Sequence, residues 1–257
     1  MAEEKNKAVA TVPSFIPSEL VEKGTRVQGF EALGIDTMAV PFLKVLNALS
    51  PELNEDNKEY IKGAKQGDVV NSITKTNYGR SFDFVVLQLD HIFVEWQPNR
   101  GGFVGYHTPQ EAIQLAVDKT KFGKWLTMDG NELQETYMYY LLIVGHEHEG
   151  VVIFSADSAD IKNAKKLNTL LMNQRFADNS KAPPFCQVYT ANSTKMMNEK
   201  GTWYALDYSL KRVFGEPDAN LYKEVEDQRS AIGKRAIDYN LLTSNVETKK
   251  TLPDVEY

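Results

Sequence analysis

The chain has 257 residues, of which 25% are charged and 11% aromatic, and a formal net charge of −6. This length allows one large domain or two small ones, each with a sizeable core. The single cysteine, Cys186, excludes an internal disulfide and a cysteine-based zinc cluster. Because the sequence shows neither a secretory signal nor an apolar run of transmembrane length, we expect a cytoplasmic protein without a membrane partner.

The negative charge lies at the two ends of the sequence. Residues 1–60 carry 6 basic and 10 acidic side chains, and residues 216–257 carry 6 and 9. Residues 61–215 carry 17 and 16, so the middle of the chain is nearly neutral. Acidic ends on a neutral core permit a nucleic-acid-binding function, although many unrelated soluble proteins share this distribution.

The pattern along the chain predicts three parts. For residues 1–37 we expect a flexible arm, because prolines and glycines interrupt the apolar pattern. Residues 38–215 predict an ordered core, which begins with a strand near Met38–Ser50 and continues with a hairpin over Gly67–Gly79. Residues 216–257 predict a helix near Ala219–Tyr239 and a polar tail.

The core is predicted to consist mainly of antiparallel strands with inserted helices. The strongest strand signal, Ser81–Trp96, is longer than a typical strand, so we expect a bend or a bulge in it. Thr108, followed by Pro109 and Glu111, predicts the start of a helix with a capping box. Further predicted elements are a hairpin over Glu135–Ala156, an amphipathic helix over Ile161–Phe176 and a closing hairpin over Pro183–Gly215. This order predicts the α+β class, with a C-terminal helix.

Motifs of enzyme active sites are absent from the sequence. It has no P-loop, no dinucleotide-binding glycine pattern and no Gly-x-Ser-x-Gly elbow, so we expect no catalytic residues and no cofactor. His146 and His148 lie two apart at a predicted hairpin tip, where strand geometry would place them on one face. Because the spacing reveals no third ligand, we interpret this tip as a solvated turn and expect no metal.

Aromatic and basic side chains are neighbours throughout the nearly neutral middle of the chain. Single-stranded nucleic acid is bound by rings that stack on bases and by cations that contact phosphates. The candidate nucleic-acid-binding residues are Lys75, Tyr78, Arg80, Trp96, Arg100, Phe103, Tyr106, Lys124, Trp125, Tyr137, Tyr139, Trp203, Lys211 and Arg212. Each ring in this set could instead be part of the core. Alternation along the strand places Tyr137 and Tyr139 on one face and Tyr140 on the other, and at least one of these two faces must be core.

The segment Phe93–Thr108 has two interpretations. It collects Trp96, Arg100, Phe103 and Tyr106 around three glycines. One interpretation is a strand that enters a glycine-rich turn, with the rings in the core. The other is a flexible finger that presents rings and a guanidinium to a flat, charged ligand.

Three stretches resemble single-stranded DNA-binding replication proteins of tailed bacteriophages. They are "VPFLKVLNALSPEL" with "YIKGAKQGDVVN", the long strand ending in Trp96 with "NRGGFVGYH" behind it, and "PPFCQVYTANSTKMMNEKGTWYALDY". The resemblance implies an OB-fold, a five-stranded Greek-key barrel whose groove binds single strands. It implies a loop over Arg100–His107 at the rim of that groove, with Arg100 on phosphate and Phe103 or Tyr106 stacked on a base. It also implies that the C-terminal tail contacts the polymerase or helicase, although Lys249–Lys250 interrupt the acidic character of this tail.

The expected function is sequence-independent binding and protection of single-stranded DNA during phage DNA replication or recombination, in the host cytoplasm. The alternative is a protein-interaction or virion-associated module with a β-barrel core and no nucleic-acid role. The sequence leaves open the oligomeric state, the site size and the preference for DNA or RNA.

Overall fold

Strands form most of the regular structure in the computed structural model, which describes residues 39–120, 124–199 and 201–234. The strands are β1 Leu43–Val45, β2 Val69–Asn71, β3 Asn77–Gly79, β4 Ser81–Trp96, β5 Phe103–His107, β6 Asp118–Lys119, β7 Trp125–Leu126, β8 Glu132–Ile143, β9 Val151–Asp157, β10 Gln187–Asn198 and β11 Gly201–Val213. The helices are α1 Pro109–Leu115, α2 Ile161–Met172 and α3 Ala219–Lys234. The predicted α+β class with mainly antiparallel strands is confirmed.

The long strands β4 and β8 are the centre of an eight-stranded sheet. Its order is β11-β10-β4-β8-β7-β6, with β5 also paired to β4 and β9 also paired to β8. The first part of β4 pairs with β10, and its last part pairs with β5. The register between β4 and β8 shifts between Val86 and Gln88, which confirms the predicted bulge. A smaller sheet, β1-β2-β3, contains the predicted hairpin.

The closed five-stranded barrel of an OB-fold is not confirmed. In the described part of the chain, the strand pairing is an open path that ends at β11 and β6. Two features extend it beyond five strands: β5 folds back on β4, and the short strands β6 and β7 continue the sheet beyond β8.

Both faces of the large sheet are covered along most of β4 and β8. Tyr139 faces α2, in a core with Phe84 and the inward residues of that helix. Tyr140 faces the opposite way, in a core with Val85 and the inward residues of α3. The prediction that at least one face of β8 is core is confirmed, and both faces are in fact core because a helix packs on each side. Removing apolar side chains from water on both faces is the main force that stabilises such a three-layer arrangement.

The helices begin where the sequence predicts. Thr108 caps α1: its side chain accepts from the Glu111 backbone N–H at 3.3 Å, and Glu111 Oε2 accepts from the Thr108 N–H at 2.7 Å. The predicted arm, the end of the C-terminal helix and the polar tail lie outside the described residues. Within the described residues, no helix is both long enough and apolar enough to cross a bilayer.

Candidate nucleic-acid interface

The segment after Trp96 is a hairpin. The backbone N–H of Gln97 donates to the carbonyl of Gly102 at 2.8 Å, which closes a tight turn. A Cβ on Gly102 would lie 3.1 Å from the Gln97 side-chain oxygen, so the turn favours glycine there. Residues Phe103–His107 then pair with β4. The prediction of a loop over Arg100–His107 was wrong, because these residues complete an edge of the sheet.

The rings of this hairpin pack on the core of the α3 face. The Trp96 and Phe103 rings meet edge to face at 5.9 Å, and Phe103 lies 4.8 Å from the Tyr106 ring. Burial raises the pKa of Tyr106. Arg100 donates to Gln134 Oε1 at 2.6 Å and lies 5.6 Å from the centroid of the Trp96 ring. Of the two interpretations of Phe93–Thr108, the strand that enters a glycine-rich turn fits the structure, because most contacts of the rings are with other protein side chains.

Two of the candidate tyrosines are buried and hydrogen-bonded. Tyr78 donates to Glu149 Oε2 at 2.6 Å, and Tyr139 donates to Asn168 Oδ1 at 2.7 Å beneath α2. Only 8% of Tyr78 and none of Tyr139 is exposed to solvent, and burial raises the pKa of both hydroxyls. A base cannot reach either ring in this structure, so neither belongs to the candidate interface.

Most of the candidate cations form ion pairs. The pairs are Lys75 with Glu59, Arg80 with Asp68 at 3.9 Å, Lys124 with Glu132 at 2.6 Å, Lys211 with Asp83, and Arg212 with Asp218 at 2.7 Å. Arg80 also lies 5.4 Å from the centroid of the Tyr204 ring, next in sequence to Trp203. The Trp203 ring nitrogen is buried without a hydrogen-bond partner among the described residues. These residues are dispersed over several elements and do not form one surface with the β4–β5 hairpin.

A row of four rings lies on the α2 face of the sheet, beyond the start of α2. The ring centroids of Tyr137 and His91 are 4.6 Å apart and nearly parallel at 12°. His91 is followed by Phe93 at 5.8 Å, and Phe93 stacks on Trp125 at 5.0 Å and 8°. Burial and the neighbouring Glu135 carboxylate raise the pKa of Tyr137 to about 12. Two sequence candidates, Tyr137 and Trp125, are therefore brought together with two residues that the sequence did not single out.

His91, Phe93 and Trp125 lie at the base of a groove of about 650 Å³, and Tyr137 stacks on His91 behind it. One wall is formed by Pro109 and Ile113 of α1. The other is formed by Ser158 and Ile161, where the chain enters α2. The groove exists because α2 begins only at Ile161 and leaves the end of the sheet uncovered. The ring groove consists of His91, Phe93 and Trp125 together with these four wall residues, and Tyr137 backs it behind His91.

The rim of the ring groove carries both signs of charge. Lys124 pairs with Glu132 at 2.6 Å, and Lys165 of α2 pairs with Glu135 at 3.2 Å. The ammonium of Lys119 lies 5.8 Å from the centroid of the Trp125 ring. Exposed ion pairs of this kind stabilise a fold by about 0–1 kcal/mol. An anionic ligand could therefore replace the carboxylate partners of these lysines at small cost.

The bulge in β4 explains why His91 and Phe93 were missed. Before the bulge, Phe82, Phe84 and Val86 face α2; after it, this face carries Leu89 and then the two ring residues. Strict alternation from Phe84 would have assigned positions 91 and 93 to the opposite face. The sequence predicts a bulge but not its position. Lys119 was missed because its strand has only two residues.

A family model described as Pam3 phage gp34-like protein matches residues 5–238. The chain belongs to this family. It is thus a phage protein, which agrees with the broader part of the resemblance to tailed-phage proteins. No curated protein and no solved structure gives a significant match to the chain.

Proposed function

We propose that this phage protein binds single-stranded DNA without sequence preference in the ring groove, and protects it during replication or recombination. The observation that supports the proposal is the row of Tyr137, His91, Phe93 and Trp125, in which the two accessible rings, His91 and Trp125, line a groove and are backed by the buried rings of Tyr137 and Phe93. Every base has a flat π-face, so a row of rings accepts any sequence. Stacking of a base on one aromatic side chain contributes about 1–3 kcal/mol.

The groove is large enough to enclose a nucleobase, which a flat surface could contact on one side only. Its volume of about 650 Å³ lies within the range of pockets that enclose small ligands. The imidazole of His91 is the most accessible member of the row, with 38% of its side chain exposed. We infer that a base enters over His91 and Trp125, while Tyr137 and Phe93 support these two rings from below.

The lysines at the rim would contact phosphates. Around the groove lie Lys119 of β6, Lys124 just before β7 and Lys165 of α2. Each phosphate contact with a single strand releases counterions, so the affinity should fall as the salt concentration rises. The carboxylates Glu132 and Glu135 moderate this attraction, and we expect binding to be weak at moderate salt.

Tryptophan fluorescence of variants with one remaining tryptophan tests the proposal. In the W96F/W203F protein only Trp125 emits, and we expect an oligo-dT strand to quench it at low salt, a duplex to quench it less, and added salt to reverse the effect. The W125F/W203F protein, with Trp96 alone, is the matched control and should respond weakly. No fluorescence change and no mobility shift at low salt would contradict the proposal.

A second candidate function is protein interaction, in the virion or with replication proteins. It is favoured by apolar side chains beside the groove: Ile113 is 61% exposed, Val117 60% and Met128 86%. Exposed apolar groups that lie together mark protein contacts more often than nucleic-acid contacts. The same titrations discriminate the two functions, because an interaction module would show no salt-dependent affinity for any polynucleotide.

A further inference from the structure

The turn between β8 and β9 brings three potential metal ligands together. Residues Glu147–Glu149 form one turn of 3₁₀ helix rather than a strand. Side chains three apart eclipse in this geometry, so His146 and Glu149 lie on the same side of the turn. His146 Nδ1 is 3.6 Å from Glu149 Oε1, and the ligand atoms of His146, His148 and Glu149 all lie within 4.8 Å of one another. The structure thus supplies the third ligand that the histidine spacing did not reveal.

These separations are close to those around a tetrahedral metal ion. With metal–nitrogen and metal–oxygen bonds of about 2.1 Å, two ligand atoms of a tetrahedral Zn²⁺ lie about 3.4 Å apart. The observed 3.6 Å between His146 and Glu149 already meets this requirement. His148 is exposed, so its ring can rotate to complete the set without disturbing any core residue.

The Glu149 carboxylate is held in place by the smaller sheet. Its Oε2 accepts from the hydroxyl of Tyr78 at 2.6 Å, from Asn71 Nδ2 at 2.8 Å and from Thr74 Oγ1 at 3.0 Å. Burial acts to raise the pKa of Glu149, but these hydrogen bonds outweigh it and hold the pKa below its ordinary value. Only 4% of the side chain is exposed, and Oε1 faces His146. Outer hydrogen bonds that orient a ligating carboxylate in this way are typical of metal sites.

We propose that His146, His148 and Glu149 bind one divalent transition-metal ion of the Zn²⁺ class. Two imidazoles and one carboxylate form a donor set that suits Zn²⁺ better than Mg²⁺ or Ca²⁺, which prefer oxygen ligands alone. Three protein ligands leave a fourth position for water. The bound ion would tie the β8–β9 turn to β2 and β3 through Glu149, and would therefore stabilise the folded chain. This site is at the end of β8 away from Trp125, and the proposal does not depend on the ring groove.

The test uses the full chain without a polyhistidine tag. We expect ZnCl₂ to bind in a 1:1 ratio by calorimetry and to raise the melting temperature, with no such effect from MgCl₂ or CaCl₂. Co²⁺ is a spectroscopic probe, because its tetrahedral complexes absorb visible light strongly. Replacing His146 or His148 with alanine should each weaken Zn²⁺ binding by at least about ten-fold.

Glu147→Gln is the matched control. Glu147 lies in the same turn, and its Oε1 accepts from the Gly145 N–H at 2.8 Å, which glutamine can also do. The control should bind Zn²⁺ like the wild type and keep its melting temperature without metal. The proposal is overturned if Zn²⁺ does not bind, if Mg²⁺ binds equally well, or if H148A binds Zn²⁺ as tightly as E147Q.

Discussion

Two aromatic clusters at the same end of the large sheet have opposite surroundings. Trp96, Phe103 and Tyr106 lie on the α3 face and pack on its core. His91 and Phe93, a few residues earlier on the same strand, lie on the α2 face in the ring groove. The sequence favoured the first cluster, because its rings are interleaved with glycines and an arginine. The structure favours the second cluster as a ligand site, because the groove between α1 and the start of α2 leaves His91 exposed and Trp125 partly exposed.

This comparison shows that local composition does not decide which rings are accessible. Alternation along β4 assigns each ring to a face, and the bulge reverses that assignment midway. The starting point of α2 then decides how much of one face stays open. If the rings around Trp96 are packed and those of the ring groove are accessible, substitutions in the two clusters should have different effects.

Tyr139 and Tyr137 lie on the same face of β8; Tyr139 bonds to Ala164 and Asn168 of α2, whereas Tyr137 stacks on His91. Tyr139→Ala should lower the free energy of unfolding by about 3–5 kcal/mol, since it empties a fully buried site and removes hydrogen bonds to Ala164 and Asn168. Chemical denaturation measures this loss. Tyr222→Ala, at an exposed helix position, is the control and should change stability by less than about 0.5 kcal/mol. An equally small change for Tyr139→Ala would show that the α2 face is less closely packed than the structure indicates.

A pair of ring deletions separates the two clusters directly. Trp125→Ala should weaken binding of oligo-dT by about ten-fold or more. Phe103→Ala should instead lower the free energy of unfolding by about 1–3 kcal/mol, because its ring packs on the α3-face core, and should leave the affinity within about two-fold. Fluorescence anisotropy and denaturation on both variants measure the two effects. The reverse pattern would restore the β4–β5 hairpin as the interface.

Asp160 lies at the boundary between the covered and the open part of the α2 face. Burial, followed by the charge of Asp157, raises its pKa from 3.8 to about 6. Between these two values the folded chain holds a proton that the unfolded chain has lost, so this group lowers stability as the pH rises from about 4 to about 6. Because Asp160 is partly exposed, solvent screening reduces the effect, and Asp160→Asn should raise the free energy of unfolding at pH 7 by about 1–2 kcal/mol and leave it unchanged near pH 3.

Denaturation of wild type and D160N across this pH range measures the difference. Asp129→Asn, which makes the same replacement at an exposed turn, is the matched control. A difference between D160N and wild type that does not vary with pH would show that Asp160 has the same pKa in the folded and the unfolded chain.

The smallest expected effect concerns the salt dependence. Lys119→Ala and Lys165→Ala should each reduce the slope of log affinity against log salt by about 0.7, the contribution of one phosphate contact to a single strand. Lys211→Ala should leave the slope unchanged, because Lys211 pairs with Asp83 away from the groove. Titrations with oligo-dT at several salt concentrations measure these slopes. If Lys211 rather than Lys119 changed the slope, the bound single-stranded DNA would have to run along β11 and not through the ring groove.

Much of the fold could be predicted from local signals. The capping residues Thr108 and Glu111 mark the start of α1, and the apolar spacing of Ala164, Leu167 and Leu171 marks the inward face of α2. Period-two patterns locate the long strands, and glycine-containing turns locate the hairpins. These features depend on interactions within a few residues, which a single sequence displays directly.

The candidate sites were predicted only in part. Trp125 and Tyr137 were among the candidates, but His91, Phe93 and Lys119 were not, and most of the other candidate residues belong to the core or to ion pairs. The histidine pair at the turn was visible in the sequence, whereas its partner Glu149 was not, because the tip was interpreted as a solvated turn whose spacing revealed no third ligand. The missed residues of β4 and of the β8–β9 turn depend on small backbone features: a one-residue shift in the register of β4, and a single turn of 3₁₀ helix.

By itself, therefore, the sequence determined the long strands, the starts of the helices, the antiparallel α+β class and the presence of a bulge in β4. Only the tertiary structure decided the position of the bulge, the open path of the sheet and the part of the α2 face that α2 leaves uncovered. The physical reason is that secondary structure depends on hydrogen bonds and side-chain periodicity between near neighbours. The accessibility of a ring, in contrast, depends on which distant element packs over it.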